Sequence, residues 1–224
     1  MEKGDHALEN IKDITLPEII NNFYSRYGKR ATDIIASFVL LILFTPFLIF
    51  FSLMLFLLSG RPIFFKQIRS GIYNTSFKIW KFRTMQPIVE ESSSHQYDWE
   101  HEVPKDFSFE KPIQQDITRI GKIYRKYSID EIPQLWNVLK GDMSFVGPRP
   151  EMVEITRYYS DEQKKRLKVK PGITGYAQIN GRSEISHGKK MELDHYYVEH
   201  CSLVLDFKII IYTVLLVIRG KGAY

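Results

Sequence analysis

The chain has 224 residues, enough for one domain and a membrane segment, with a formal net charge of +5. A basic balance suits nucleic acid, an anionic membrane surface or anionic substrates. The apolar segment described below favours the last two, so we expect no nucleic-acid partner. The single cysteine, Cys201, excludes an intramolecular disulfide, and the six histidines show no zinc-type spacing with it.

Residues 1–28 form a polar arm in which acidic and basic residues alternate with isolated apolar ones. After Pro17 the apolar residues can make one weak amphipathic helical face. The alternative is a mobile or surface-lying leader without fixed structure.

The segment from Ile34 to Leu58 is apolar throughout and contains no charged residue. It exceeds the ~20 residues that a helix needs to cross the hydrocarbon core of a bilayer. It begins too late and is too long for a cleaved signal peptide. Lys29 and Arg30 precede it and Arg61 follows it, so residues 29–60 are predicted to be embedded in a membrane.

Thr45 and Pro46 interrupt this apolar segment near its centre. Proline removes one backbone hydrogen bond, and the threonine hydroxyl can bond back to a carbonyl three or four residues earlier. One interpretation is a spanning helix with a kink at this pair. The other is a helix-break-helix that re-enters the same face of the membrane, which the positive charge on both flanks slightly favours.

Two short runs rich in aromatic and β-branched residues, Ile63 to Ile68 and Phe77 to Phe82, flank a segment rich in turn formers. This pattern predicts a β-hairpin. Lys81 and Arg83 then lie on one side of the second strand and could hold a phosphate. The alternative for these two cations is an ordinary solvated strand face.

The next segments are polar. Residues 90–111 are acidic and serine-rich, which predicts a surface insertion or flexible loop, and residues 116–126 predict a basic helix.

Residues 125–150 carry the pattern most suggestive of chemistry. Ser128 and Glu131 have the spacing of a helix capping box, whereas Pro133 favours a start capped by Asp130 instead. A well-capped helix start is a purely structural explanation of the Asp130–Glu131 pair.

A phosphate site is the functional alternative for the same pair. Arg125 lies nearby in sequence, and the rigid Gly-Pro-Arg-Pro turn presents Arg149. Two carboxylates beside cations suggest a phosphate site with a metal, and an ionised aspartate is also a possible nucleophile toward phosphorus.

The C-terminal third predicts three further features. Residues 151–170 predict one charged amphipathic helix, and the glycines and proline of residues 169–182 predict a structured loop. A polar helix follows over residues 191–200. Residues 203–218 are apolar but contain Asp206 and Lys208, so they predict an interfacial or core-packed helix and not a span.

Taken together, the motifs of this chain resemble the bacterial sugar transferases, the monotopic phosphoglycosyl transferases. They occur in the family's order and are KRATD, the Thr-Pro pair, FFKQIRSG, KFRTM, SIDEIPQLWNVLKGDMSFVGPRP and VKPGITGYAQINGR. The resemblance covers Lys29 to Tyr224 and is to the small form of the family.

The resemblance implies a fold and a location. The expected fold is α+β and mostly helical, with a re-entrant membrane helix-break-helix over residues 29–60. A small β-hairpin and interfacial amphipathic helices would belong to a cytoplasmic catalytic domain, residues 61–224, on the bacterial inner membrane. Thr45 stands where the family usually has serine, and the insertion near residues 90–111 is longer than usual.

The resemblance also implies an activity. A sugar-1-phosphate moves from a UDP-sugar to polyprenyl phosphate, and UMP is released. Asp130 is the expected nucleophile and Mg²⁺ ligand, and Glu131 assists it. Arg149, Arg125, Lys81 and Arg83 are expected to contact phosphate oxygens.

Two other functions compete with this transferase. One is a non-catalytic membrane-bound scaffold for glycan assembly, and the other is a membrane-surface phosphohydrolase using the same carboxylates. The sequence specifies neither the sugar, nor the polymer pathway, nor the oligomeric state.

Overall fold

The structure is a computed structural model that describes residues 24–86, 97, 99–100, 102–108, 117–181 and 185–220. The predicted polar arm therefore lies outside the described residues, except for a π-helical turn at Tyr24–Gly28. The described chain is a mostly helical α+β fold with two small two-stranded sheets.

One long helix comes first, and shorter helices and strands follow it along the chain. The helices are α1 (Lys29–Ser59), α2 (Arg119–Lys126), α3 (Gln134–Lys140), α4 (Val153–Thr156), α5 (Asp161–Lys164), α6 (Tyr176–Ile179), α7 (His187–His200) and α8 (Leu203–Ile218). The strands are β1 (Phe64–Ser70), β2 (Ser76–Phe82), β3 (Ser144–Val146) and β4 (Gly172–Thr174).

Helix α1 is the long apolar helix that the sequence predicts. It has 31 residues, and a stretch of 18 of them has a mean hydropathy of 2.8; it is the one helix in the described part of the chain long and apolar enough to cross a membrane. Three of its residues are buried, namely Asp33, Ser37 and Leu55. Because many of its large apolar side chains are exposed, this helix indicates membrane association.

The predicted break at Thr45–Pro46 does not interrupt α1, which stays helical through Pro46. Pro46 cannot donate a backbone hydrogen bond, but the Thr45 hydroxyl donates to the Leu41 carbonyl at 2.6 Å. The predicted back-bond is therefore confirmed. Whether the helix re-enters the membrane or spans it with a kink stays a prediction.

The N-terminal end of α1 is bound to the rest of the fold by two side chains. Arg30 donates to the carbonyls of Val138 and Leu139, at 2.7 and 2.8 Å. Asp33 Oδ1 accepts from the Ser144 hydroxyl and from the Phe145 N–H, both at 3.1 Å. The first turns of α1 therefore lie against the end of α3 and the start of β3.

The C-terminal end of α1 is bound to the same domain. Arg83 donates to the carbonyls of Arg61 and Gly60, at 2.8 and 3.1 Å, and also to that of Ser59. The Tyr124 hydroxyl donates to the Phe51 carbonyl at 2.7 Å. Both ends of α1 are thus held by the domain that follows it in the chain.

The predicted β-hairpin is confirmed. Strands β1 and β2 are antiparallel, with Phe64 opposite Phe82 at one end and Ser70 opposite Ser76 at the other. Asn137 of α3 supports the hairpin, because its side chain accepts from the Trp80 N–H at 3.0 Å and donates to the Lys78 carbonyl at 2.8 Å.

The single helix predicted for residues 151–170 is wrong. The structure has α4, α5 and a 3₁₀ turn at Lys165–Lys168 instead. A long helix would keep its charged residues on a solvated face, whereas Arg166 is 1% exposed and Glu151 3% exposed. Pairing these two buried charges requires the chain to bend.

The segment predicted as a structured loop contains β4 and α6, and β4 pairs in parallel with β3. Glycine permits this pairing, because a Cβ at Gly172 would lie 2.1 Å from the Gly147 backbone nitrogen. The close approach of Gly147 and Gly172 fixes the Gly-Pro-Arg-Pro turn against β4.

The described part of the predicted surface insertion is packed. Val103 is fully buried with Ile155, Tyr159, Leu167 and Met191, and Tyr97, Trp99 and Phe107 pack around that cluster. The polar composition of the segment concealed this, because its few aromatic residues make the contacts.

Candidate active site

Asp130 and Glu131 lie in a short 3₁₀ turn, Ile129–Glu131, between α2 and α3. Ser128 begins the turn with a positive φ of 54°. Neither predicted cap forms, because the N-cap of α3 is Pro133 and no side chain caps it. The two carboxylates are therefore not occupied by the helix start, which favours a functional explanation.

Glu131 is held between two cations. Its Oε1 accepts from Lys81 Nζ at 2.7 Å and from Arg149 Nη2 at 3.1 Å. Burial alone would raise the pKa of Glu131, but Lys81 and Arg149 outweigh burial and lower it to about 2. Glu131 is therefore a fixed negative charge at neutral pH.

Asp130 has the opposite shift. Burial and the neighbouring Glu131 charge raise the pKa of Asp130 to about 6, although Lys81, Arg149 and Arg125 oppose them. The pKa values of the two adjacent carboxyl groups thus differ because their surroundings differ. Asp130 is the member of the pair that titrates near neutrality.

Lys81, Arg125 and Arg149 lie close enough to Asp130 for their charges to lower its pKa, whereas their contacts with phosphate stay a prediction. Arg125 is oriented by Thr84, whose hydroxyl accepts from Arg125 Nε at 3.0 Å. These cations come from three separate elements: the end of β2, the last turn of α2, and the turn after β3.

Arg83 is not part of this cluster. It is 6% exposed and donates to the carbonyls at the end of α1, and none of its described contacts is with Asp130 or Glu131. These contacts favour a structural role for Arg83, and its predicted contact with phosphate stays untested. The helix terminus leaves carbonyls without partners, and a guanidinium can satisfy several of them at once.

A buried ionic network supports Arg149, and the sequence did not reveal it. Arg166 Nη2 donates to the Arg149 carbonyl at 2.9 Å and pairs with Asp194 at 2.8 Å. Glu151 pairs with Lys190 at 2.5 Å and lies 3.5 Å from Arg166. The segments that contain these residues are rich in opposite charges, but nothing in the sequence distinguishes the buried ones from those that face solvent.

A cavity of about 540 Å³ adjoins the carboxylate pair. Glu131 and Arg149 are among the residues that line it, whereas Asp130 is not. Its apolar lining includes Leu40 and Phe44 of α1, Leu135 of α3 and Val217 of α8. We call its polar lining residues the polar wall, namely Arg69, Glu151, Gln178, His187 and Lys190.

The site fits a magnesium ion that binds together with a phosphorylated substrate. No group of three His, Cys, Asp or Glu side chains converges among the residues that the structure describes. Magnesium is commonly held by one or two carboxylates plus substrate phosphates and water, and not by an all-protein cage. The Asp130 carboxylate, near the side chains of Lys81, Arg125 and Arg149, fits that description, and its role as a magnesium ligand stays a prediction.

Comparison with known proteins gives consistent matches. The family model described as "Bacterial sugar transferase" matches residues 24–220. The chain is 43% identical over 194 residues to "Uncharacterized sugar transferase EpsL" of Bacillus subtilis, covering 87% of this chain and 89% of that protein. It is 33% identical over 199 residues to "Exopolysaccharide production protein ExoY" of Rhizobium meliloti, covering 88% of each chain.

A third relative has a more specific name. The chain is 35% identical over 219 residues to "Undecaprenyl-phosphate galactose phosphotransferase" of Salmonella typhimurium, covering 95% of this chain and 45% of that protein. The present chain therefore corresponds to about half of that longer protein. On the family match and these identities, the chain belongs to the bacterial sugar transferase family.

Proposed function

We propose that this protein transfers a sugar-1-phosphate from a UDP-sugar to polyprenyl phosphate and releases UMP. The observation that carries the proposal is the position of Asp130 next to Glu131 and near three cations, with Glu131 lining a cavity that Leu40 and Phe44 of α1 also line. The name of the Salmonella relative supports a lipid phosphate acceptor. The reaction begins the synthesis of a surface polysaccharide or glycoconjugate.

In the first half-reaction an ionised Asp130 oxygen attacks the phosphorus that carries the sugar. The bond from this phosphorus to the bridging oxygen breaks, and UMP leaves with the bond's electron pair. Lys81, Arg125 and Arg149 stabilise the charge that develops on the phosphate oxygens. The product is a phosphosugar joined to Asp130 as a mixed anhydride.

In the second half-reaction an oxygen of polyprenyl phosphate attacks the same phosphorus. The bond between phosphorus and the Asp130 oxygen breaks, and the free carboxylate returns. Glu131 stays ionised throughout and holds Lys81 and Arg149 in place, so its role is to position the cations.

Magnesium fits this scheme as the ion that neutralises the diphosphate of the donor. Asp130 is its proposed protein ligand. Removal of the ion is expected to stop UMP release.

The acceptor must reach this site from the membrane. Residues 29–60 are proposed as the membrane-embedded, re-entrant segment, with 1–28 as a polar arm and 61–224 as the catalytic domain on the cytoplasmic face of the inner membrane. Two observations support this. Arg30 and Arg83 hold opposite ends of α1 to the same domain, and α8 exposes a run of large apolar side chains, including Leu203, Val204, Phe207, Tyr212 and Ile218.

One assay tests the function. Purified protein is given UDP-sugars and Mg²⁺, with and without polyprenyl phosphate, and UMP is measured. We expect repeated turnover only with the lipid and none with EDTA. Turnover without lipid indicates a phosphohydrolase, and donor binding without UMP release indicates a scaffold.

The nucleophile is tested with Asp130→Asn. We expect a loss of UMP release of at least about 1,000-fold, because an amide cannot form the mixed anhydride. Asp161→Asn is the matched control, since the Asp161 side chain is 90% exposed and pairs only with Lys164 among its described contacts. Undiminished turnover by Asp130→Asn would refute this role.

A further inference from the structure

The polar wall of the cavity contains two side chains with unused hydrogen-bonding capacity. His187 is 2% exposed, and neither of its ring nitrogens has a hydrogen-bond partner within the part of the chain that the structure describes. The same is true of both amide atoms of Gln178. Buried polar groups are normally paired, so an orphaned pair lining a cavity indicates a missing ligand.

His187 is held in a fixed position. Its backbone N–H donates to the Phe107 carbonyl at 2.8 Å, and the next N–H, from Gly188, donates to the Lys105 carbonyl at 2.8 Å. The Phe107 and Tyr159 rings pack beside the imidazole, with centroid distances of 6.1 and 5.7 Å. The ring nitrogens are thus preorganised for a ligand and not free to seek other partners.

This wall suits an uncharged ligand. Burial, and then the nearby Lys190, lower the pKa of His187 to about 4, so the imidazole is neutral at physiological pH. The charges on the same wall compensate one another, since Glu151 pairs with Lys190 at 2.5 Å and also attracts Arg69. A phosphate therefore gains more from the Lys81, Arg125 and Arg149 cluster than from this wall.

We propose that His187 and Gln178 bind the sugar ring of the nucleotide-sugar donor and contribute to the choice of sugar. A neutral imidazole and a primary amide each offer a donor and an acceptor, as does every sugar hydroxyl and an acetamido group. This inference rests on the proposed transferase function and adds the residues that recognise the transferred group.

The order of the two half-reactions favours the sugar over the nucleoside as the group that His187 and Gln178 bind. The nucleoside leaves with UMP after the first half-reaction, whereas the sugar stays on the phosphorus until the lipid has attacked. The sugar must therefore lie in a space open both to Glu131 and Arg149 and to the acceptor. The cavity meets this requirement, because Leu40 and Phe44 of the membrane helix line it together with Gln178 and His187.

The experiment compares four donors, UDP-glucose, UDP-galactose and their N-acetylated forms, by the kcat/KM for UMP release. The variants are His187→Phe, His187→Gln and Gln178→Leu. His195→Phe is the matched control, because His195 lies on the same helix, pairs with Glu162 and does not line the cavity. Inhibition by UMP, which contains the nucleoside and phosphate but no sugar, is measured for each variant.

We expect His187→Phe and Gln178→Leu to lower kcat/KM for the preferred donor by about tenfold or more and to shrink the ratios between donors. Since glutamine at position 187 keeps a hydrogen-bond donor and acceptor, His187→Gln should retain part of the preference among the UDP-sugars. Inhibition by UMP should be unchanged in all variants, and His195→Phe should behave as the unaltered protein.

Two results would overturn the inference. One is that the ratios of kcat/KM between donors equal those of the unaltered protein in both His187→Gln and Gln178→Leu. These two variants carry the test if thermal unfolding shows that His187→Phe does not fold. The other is an equal weakening of UMP inhibition and of every donor, which would assign the wall to the nucleoside. If the unaltered protein releases no UMP from any donor, the proposed function itself fails, and the two failures are distinguishable.

Discussion

Lys81 Nζ and Glu131 Oε1 lie 2.7 Å apart, and the same carboxylate oxygen receives Arg149 at 3.1 Å. One carboxylate therefore fixes two cations from separate elements, a strand end and a turn. The side chains that we propose to neutralise the donor phosphates are thus held in place before the substrate binds.

The Lys81–Glu131 contact predicts the effect of removing the cation. Lys81→Met should lower kcat for UMP release by about 100-fold, the order found for the loss of one preorganised charge contact. The matched control is Lys78→Met, on the same strand but exposed to solvent. Steady-state kinetics of both variants provide the measurement, and equal rates for the two would contradict the assignment of Lys81.

The opposite pKa shifts of Asp130 and Glu131 predict a pH dependence. Attack requires ionised Asp130, whose pKa is raised to about 6, so the rate should rise with pH through about 6 and then level off. A single-turnover burst of UMP without lipid is the suitable measurement, because the acceptor phosphate also titrates in this range.

Glu131→Gln identifies the titrating group. The Glu131 charge raises the pKa of Asp130, so removing that charge should move the rise of the rate (the acid limb of the pH profile) to lower pH, even though the maximum rate falls. Glu162→Gln, at an exposed side chain on α5, should leave the limb in place. An acid limb that stays near pH 6 in Glu131→Gln would mean that another group titrates.

The contacts of Arg83 predict a structural phenotype. Arg83→Met leaves the carbonyls at the end of α1 without a buried donor and should cost about 1–3 kcal/mol of stability. The midpoint of thermal unfolding in detergent should fall, while KM for the donor stays near that of the unaltered protein. Arg157→Met, at an exposed arginine, is the control. A raised KM with unchanged unfolding would restore the phosphate role that the sequence suggested.

Elements specified by local pattern were predictable from the sequence. The apolar segment gave α1, the two short β-rich runs gave the hairpin, and the C-terminal apolar run gave α8 at its predicted bounds, Leu203–Ile218. The local motifs also named residues whose charges act on one another in the structure, namely Asp130, Glu131, Lys81, Arg125 and Arg149, although their roles stay predictions.

Features that depend on distant partners were not predictable. Arg166 looks like any basic residue in a charged segment, and its burial depends on Glu151 and Asp194, which lie elsewhere in the chain. Arg83 follows Lys81 with the period of a strand, but β2 ends at Phe82 and the side chain turns to the end of α1. The parallel pairing of β3 and β4 likewise joins residues that show no strand pattern.

The attachment of α1 at both ends predicts its membrane topology. A straight helix of its 31 residues would be about 46 Å long, longer than the ~30 Å hydrocarbon core, so a spanning α1 would place its ends on opposite sides of the bilayer. Arg30, at the start of α1, bonds to the end of α3, and Arg83, which follows β2, bonds to the carbonyls at the end of α1. Residues of one domain therefore hold both ends of the helix. Single cysteines replacing Tyr27 and Lys78, both exposed, report the two sides, with the buried Cys201 replaced by alanine. We expect a membrane-impermeant maleimide to label neither site in spheroplasts and both in inverted vesicles, while a permeant maleimide labels both everywhere. Labelling of the Tyr27 site alone in spheroplasts would establish a spanning helix and refute re-entry.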